Sequence, residues 1–215
     1  MQACRACGAG ASLDAHFCPQ CRTILPLNRR QTDYFTFFGL PRKLRIDAPD
    51  LEARFRALSR QFHPDFFYNA PTADRRASLE RSSYLNDAYR TLKSPVARVE
   101  YLLDLEGRAA KSPEEASKQV PAGLLEEVFA LNEELDEIRE LRAGGAPPDE
   151  VRARLERART PIDAKRAEHE RQLEELSAGW DESGGSDVLD ALRDRVLERN
   201  YISNLLAGIE RELNS

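Results

Sequence analysis

The chain has 215 residues, 41% hydrophobic and 32% charged, broken by only 11 Gly and 12 Pro. This excludes collagen-like, disordered and disulfide-stapled chains and leaves one or two helix-leaning soluble domains. No window approaches the roughly 20 apolar residues needed to cross a bilayer, and the opening MQACRACGAG lacks the basic-then-apolar layout of a secretory signal, so a cytoplasmic protein without membrane contact is expected.

The net charge of −5 is uneven along the chain. Residues 1–27 carry two basic and one acidic group, residues 28–120 carry 17 and 13, and residues 121–215 carry 13 and 23. A mildly basic middle and an acidic end imply two partners of different character. Nucleic acid is not one of them, because phosphate binding needs a basic footprint.

All four cysteines fall in the first 21 residues, in a Gly/Ala-rich stretch without periodicity long enough to support a core. Cys4-Arg5-Ala6-Cys7 and Cys18-Pro19-Gln20-Cys21 are two C-x2-C pairs ten residues apart. Each pair can turn two thiolates towards one ion, and together they make the tetrahedral S4 set that structural Zn2+ takes. An iron–sulfur centre or a redox dithiol draws on the same residue types. Gly8 permits the tight turn after the first pair, and His16, two residues before Cys18, reads as a surface loop residue in preference to an alternate ligand. Residues 1–27 are thus expected to form a four-cysteine zinc module.

Helical signals begin after Arg30. Residues 33–40 read as a short aromatic helix stopped by Gly39 and Pro41. Pro49-Asp50 opens a second helix with Leu51, Phe55, Leu58 and Phe62 at helical spacing, Arg54, Arg56 and Arg60 on its other face, and Pro64 as its stop. A third runs from Pro71-Thr72 to about Leu92, with Leu79, Tyr84, Leu85, Ala88, Tyr89 and Leu92 inward, and a fourth covers 96–106 up to Gly107. The polar stretch from Arg108 to Pro121 reads as a connection. Amphipathic helices over about 122–142, 148–178 and 187–213 follow, separated by Gly144–Pro148 and Gly179–Gly185, which predicts a three-helix bundle. On the first of them Leu124, Val128, Leu131, Leu135 and Ile138 form a core stripe. Leu125 and Phe129 lie beside it, rotated towards Glu133, with Glu126 and Glu137 further round; they either widen the core or form an apolar strip bordered by carboxylates for a partner.

Taken alone, His63-Pro64-Asp65 is a helix stop flanked by polar loop residues. In order with Tyr34-Phe35-x-x-Phe38-Gly39-Leu40, the arginine-bearing helix and Asn86-Asp87-Ala88-Tyr89-x-x-Leu92, it resembles the J-domain of DnaJ-type co-chaperones over about residues 32–92. That resemblance implies that His63, Pro64 and Asp65 contact a DnaK-class chaperone and trigger its ATP hydrolysis, while Arg54, Arg56 and Arg60 dock on its acidic surface. Family members commonly carry Lys or Arg after the Asp; here Phe66 stands there, followed by Phe67 where an aromatic is common.

Ala97-Arg98-Val99-Glu100-Tyr101-Leu102-Leu103 followed by Asn132-Glu133-Glu134-Leu135-Asp136-Glu137-Ile138 extends the likeness to residues 32–213. It resembles the HscB family, J-type co-chaperones of iron–sulfur cluster assembly, some of which carry an additional zinc module. The resemblance implies an all-α chain: a zinc module at 1–27, a J-domain at 32–107 and a scaffold-binding bundle at 121–215. It also implies two protein partners, an IscU-type scaffold and a DnaK/HscA-type ATPase chaperone. Carried over by position, the scaffold strip is Leu124, Leu125, Phe129, Glu133, Glu137 and Tyr201, with Glu126 where an apolar residue is usual. The chain is then no enzyme. The rivals are a J-protein for an unrelated client and a small metalloenzyme using Cys and His63, against which the pairing of all four cysteines argues.

Overall fold

The computed structural model describes residues 1–28, 32–108 and 122–214, with the side chains of 122–125 outside that description. Its α-helices are α1 (Tyr34–Phe38), α2 (Ala48–Phe62), α3 (Thr72–Lys93), α4 (Pro95–Leu105), α5 (Ala122–Ala143), α6 (Pro148–Ser183) and α7 (Ser186–Leu213). The fold is all-α as expected, apart from two-residue strands β1 (Gln2–Ala3) and β2 (Gly10–Ala11), which pair antiparallel. Among the described residues no helix is long and apolar enough to cross a membrane. The chain forms two compact units, Met1–Tyr101 and Leu102–Ser215, whose boundary falls inside α4.

In the first unit, local chemistry sets the helix ends. The Asp33 carboxylate accepts from Thr36 N at 2.7 Å to start α1, and Gly39 at φ 65° ends it in the left-handed conformation that glycine adopts without a Cβ penalty. Three of the five residues of α1, Phe35, Phe37 and Phe38, are buried. Asp47 caps α2, and Pro64, which has no amide proton to donate, forces its end at Phe62. The carbonyl stranded there is claimed by α3: Ser78 Oγ donates to Phe62 O at 2.6 Å and Ser82 Oγ at 2.8 Å.

That demand explains a departure from the expected face of α3. Leu79 is 58% exposed, not inward, because small, hydrogen-bonding Ser78 takes the buried position beside it. The other inward residues follow the reading, with Tyr84, Leu85, Ala88 and Leu92 buried and Tyr89 partly so, its ring stacked on Phe55 at 4.1 Å. The C-terminal carbonyls of α3 meet a second buried side chain, Arg98 on α4, whose Nε donates to Leu92 O at 2.7 Å and whose Nη1 reaches Leu44 O.

In the second unit, α5 and α7 both run antiparallel to α6. Leu131, Leu135 and Ile138 of α5 pack with Val151, Leu155 and Ile162 of α6 and with Ile202, Leu205, Leu206 and Ile209 of α7. Polar contacts clasp the edges: Arg154 to Glu134 at 2.6 Å, and Arg139 and Arg142 to Glu212 at 2.7 and 3.1 Å. The predicted end of α6 near residue 178 is corrected. The helix passes through Gly179 to Ser183 and stops at Gly184, φ 61°, whose N–H bonds Trp180 O at 2.9 Å. An interior glycine costs a helix only about 1 kcal/mol, which packing readily offsets; the left-handed turn at Gly184 is what ends it.

The capped base of the α2–α3 turn yields a stability prediction. Ser78→Ala/Ser82→Ala orphans a buried carbonyl and should destabilise the fold by about 1–3 kcal/mol in urea unfolding, whereas Ser82→Ala alone, leaving Ser78 in place, should cost less. An unchanged midpoint for the double variant would mean that Phe62 O has another donor.

Candidate functional site

The cysteine segment makes two near-identical turns. In the first, Gly8 N donates to Cys4 O at 2.8 Å and Cys4 N to Ala9 O at 2.8 Å; in the second, Arg22 N donates to Cys18 O at 3.0 Å and Cys18 N to Thr23 O at 2.9 Å. Each turn needs a left-handed residue directly after its second cysteine. Gly8, φ 73°, supplies it in one and Arg22, φ 63°, in the other. The segment also has more core than its composition suggests, since Cys4, Ala11, Cys18 and Leu25 are buried together.

The four sulfurs lie within 4.8 Å of one another. Cys4 Sγ and Cys21 Sγ are 3.6 Å apart and Cys7 Sγ and Cys18 Sγ 3.7 Å apart. These separations are far beyond the ~2.05 Å of a disulfide. They match the ~3.8 Å between ligand sulfurs that tetrahedral bonds of ~2.3 Å from Zn2+ impose. The donor set therefore fits a four-thiolate metal site. The Thr23 hydroxyl and backbone beside Cys21 push its thiol pKa down to about 6.

His16 is not the surface loop residue expected from the sequence. It is wedged edge-on between Phe37 and Phe62, at centroid distances of 4.8 and 5.0 Å. Arg81 Nη1 lies 2.7 Å from its Nδ1 and Phe37 O lies 3.1 Å from its Nε2. A guanidinium only donates and a carbonyl only accepts, so His16 is neutral with its proton on Nε2. Burial, reinforced by the Arg81 charge, pushes its pKa down to about 4. With both ring nitrogens engaged, His16 is no metal ligand.

The His63-Pro64-Asp65 segment forms a single 3-10 turn, Pro64–Phe67. His63 Nδ1 accepts from Asp65 N at 3.3 Å, and the two side chains stay open to solvent, 53% and 86% exposed. Phe66 and Tyr68 are also turned outwards. Of the α2 arginines, Arg54 is bound locally, its Nε to Asp50 at 2.8 Å and its Nη1 to Phe38 O at 3.1 Å, where it caps α1. Arg56 pairs with Glu52 at 3.0 Å, Arg60 Nε donates to Arg56 O at 3.2 Å, and both side chains are exposed.

On the bundle, Phe129 is 67% exposed and Glu133 and Glu137 share its side of α5 at four-residue spacing, Glu137 paired with Arg154. The side chains of Leu124 and Leu125 lie outside the described residues. Tyr201, on α7, is half-buried. Its level follows from the register: Leu135 abuts Gly208, and Arg139 Nε donates to Glu212 73 residues on. The same offset in this parallel pair sets Tyr201 level with Val128, next to Phe129.

Sequence reading missed Ser78, Arg81, Ser82 and Arg98. Their signal was present as polar residues on faces whose other members are apolar. Such residues are buried only when backbone acceptors await them.

No family model matches the chain. Its structure resembles that of the human co-chaperone protein HscB, with a TM-score of 0.75 and 28% identity over 97% of each chain, a coverage that extends into the cysteine module. The chaperone HscB from Vibrio cholerae is 32% identical over 83% of this chain and 96% of its own, with a TM-score of 0.66. At 32% identity over nearly the whole of the Vibrio protein, the chain belongs to the HscB family of co-chaperones.

Proposed function

We propose that this protein binds an IscU-type iron–sulfur scaffold through its bundle and delivers it to a DnaK/HscA-type chaperone, whose ATP hydrolysis the His63 turn triggers. The observation that carries the reading is Phe129, a large aromatic left 67% exposed one position round from a stripe whose members Leu131, Leu135 and Ile138 are buried. An aromatic bordered by Glu133 and Glu137, with Tyr201 at its level, suits a partner surface that is apolar and basic. Leu124 and Leu125, one turn before Phe129, extend the strip by sequence. At the other site, the Phe62 carbonyl held by two serines leaves His63, Pro64 and Asp65 presented without burial, and Arg54, Arg56 and Arg60 lie along the adjoining helix for an acidic partner. In this reading the chemistry is the chaperone's, and among the described residues none assembled around His63 supplies a nucleophile or an open metal position.

The four cysteines suit a structural Zn2+, which when bound neutralises the thiolates and ties the two turns together. Anaerobically purified protein should contain about one zinc per chain by elemental analysis. A visible cluster absorbance in its place would assign the site to iron and sulfur.

Two substitutions test the protein contacts. His63→Gln should abolish stimulation of the chaperone ATPase while thermal unfolding stays close to that of the parent, since the imidazole is half-exposed and makes one local hydrogen bond; surviving stimulation would remove the trigger role. Phe129→Ala should weaken scaffold binding by about tenfold, the effect of ~1.4 kcal/mol. Its stability cost should fall well below the roughly 2–5 kcal/mol expected of Ile138→Ala in the core. Unchanged binding in titration calorimetry would move the docking surface elsewhere.

A further inference from the structure

The cysteine module and the His63 turn share a residue. Phe62 is fully buried as the last residue of α2, directly before His63. Its ring meets the module on two sides, edge-on to His16 and stacked on Phe17 at 5.9 Å, and these are the two residues that lead towards Cys18. Arg81 lies 5.7 Å over the same ring.

Arg81 in turn holds both strands of the second cysteine turn. Its Nη2 donates to Ala15 O at 3.1 Å on the way in, and its Nε and Nη2 donate to Leu25 O at 2.8 Å and Pro26 O at 3.2 Å on the way out. With the contact to His16, every acceptor of this guanidinium belongs to the module, although Arg81 itself stands on α3 between the two serines that hold the Phe62 carbonyl. A second tie, from Arg5 in the first cysteine turn to Asp74 on α3, fixes the far side.

We infer that the module is a positioning element for the His63-Pro64-Asp65 turn: ordered by its metal, it presses His16 and Phe17 on Phe62 and so sets where His63 sits, with Arg81 as the positioning residue that makes the coupling. This rests on the proposed metal in the module and on the proposed trigger role of the turn. Without an ion, four crowded thiols lose their common tie, His16 and Phe17 are no longer anchored at Cys18, and the Phe62 ring loses two of its walls.

The test is amide NMR on the full chain, zinc-loaded and after chelation. Metal removal should shift the amide signals of Asp65 and Phe66 and speed hydrogen exchange at Phe62–Phe67 by at least about tenfold, while amides of Ile138 and Leu155 in the bundle stay put. Arg81→Met with zinc retained should reproduce the shift of Asp65 and Phe66, and chelating that variant should add little more there. Should Arg81→Met not fold, Cys7→Ser/Cys21→Ser, which alters only exposed sulfurs, should give the same displaced turn with Arg81 intact. Metal removal that moves the amides of Cys4 and Cys18 but leaves Asp65 and Phe66 unmoved would overturn the coupling. Failure of the trigger reading looks different: the zinc-loaded parent would not stimulate the chaperone ATPase at all, whatever the turn signals do.

Discussion

A guanidinium with 1% of its residue surface exposed needs acceptors for its N–H groups, and Arg81 finds them in three carbonyls and an imidazole. Burial lowers its pKa to about 10, so it remains a cation at neutral pH, its charge dispersed over carbonyl dipoles while the Glu80 carboxylate acts on it electrostatically. This one side chain turns a segment with little apolar mass of its own into part of the first unit. It also explains an odd choice nearby, a neutral histidine inside an aromatic cluster.

Around that anchor the first unit is built from stranded carbonyls and the side chains that reach them. Phe62 O is met by Ser78 and Ser82, Leu92 O by Arg98, Phe38 O by Arg54, and Thr32 O by Tyr84 at 2.5 Å. Each helix or loop end is thereby tied to a neighbouring element. Short helices such as the five-residue α1 have too few internal hydrogen bonds to persist alone, so these ties and the packing of Phe35, Phe37 and Phe38 supply their order.

Helix positions were legible because they depend on local signals. Pro49, Pro64, Gly39 and the Gly144–Pro148 turn act within a few residues of themselves; the Asp47 cap, three residues before the amide it holds, went unread. The core stripe of α5 was legible for the same reason, as periodicity at Leu131, Leu135 and Ile138. Gly179 misled because glycine is a weak stop when packing continues beyond it. Leu79 and His16 misled because their burial is decided by partners 16 to 65 residues away, the Phe62 carbonyl and Arg81. Of the candidate sites, the four cysteines could be read from spacing alone. The support beneath His63 could not, because Ser78 and Ser82 have no meaning until α3 is laid against the end of α2.

The surface proposed for the scaffold is composed by α5 and α7, and between them in sequence lies a helix of 36 residues, about 54 Å at 1.5 Å per residue. That helix acts as a measuring rod. The match of Leu135 with Gly208 and of Arg139 with Glu212 holds because α6 and its two glycine turns have one particular length. Removing a residue from α6 would turn everything beyond it by about 100° and draw it back by ~1.5 Å. The matches of Leu135 with Gly208 and of Arg139 with Glu212 would then be lost without any of these residues having been altered. For the surface made by α5 and α7, the number of residues in α6 therefore matters more than which side chains it exposes.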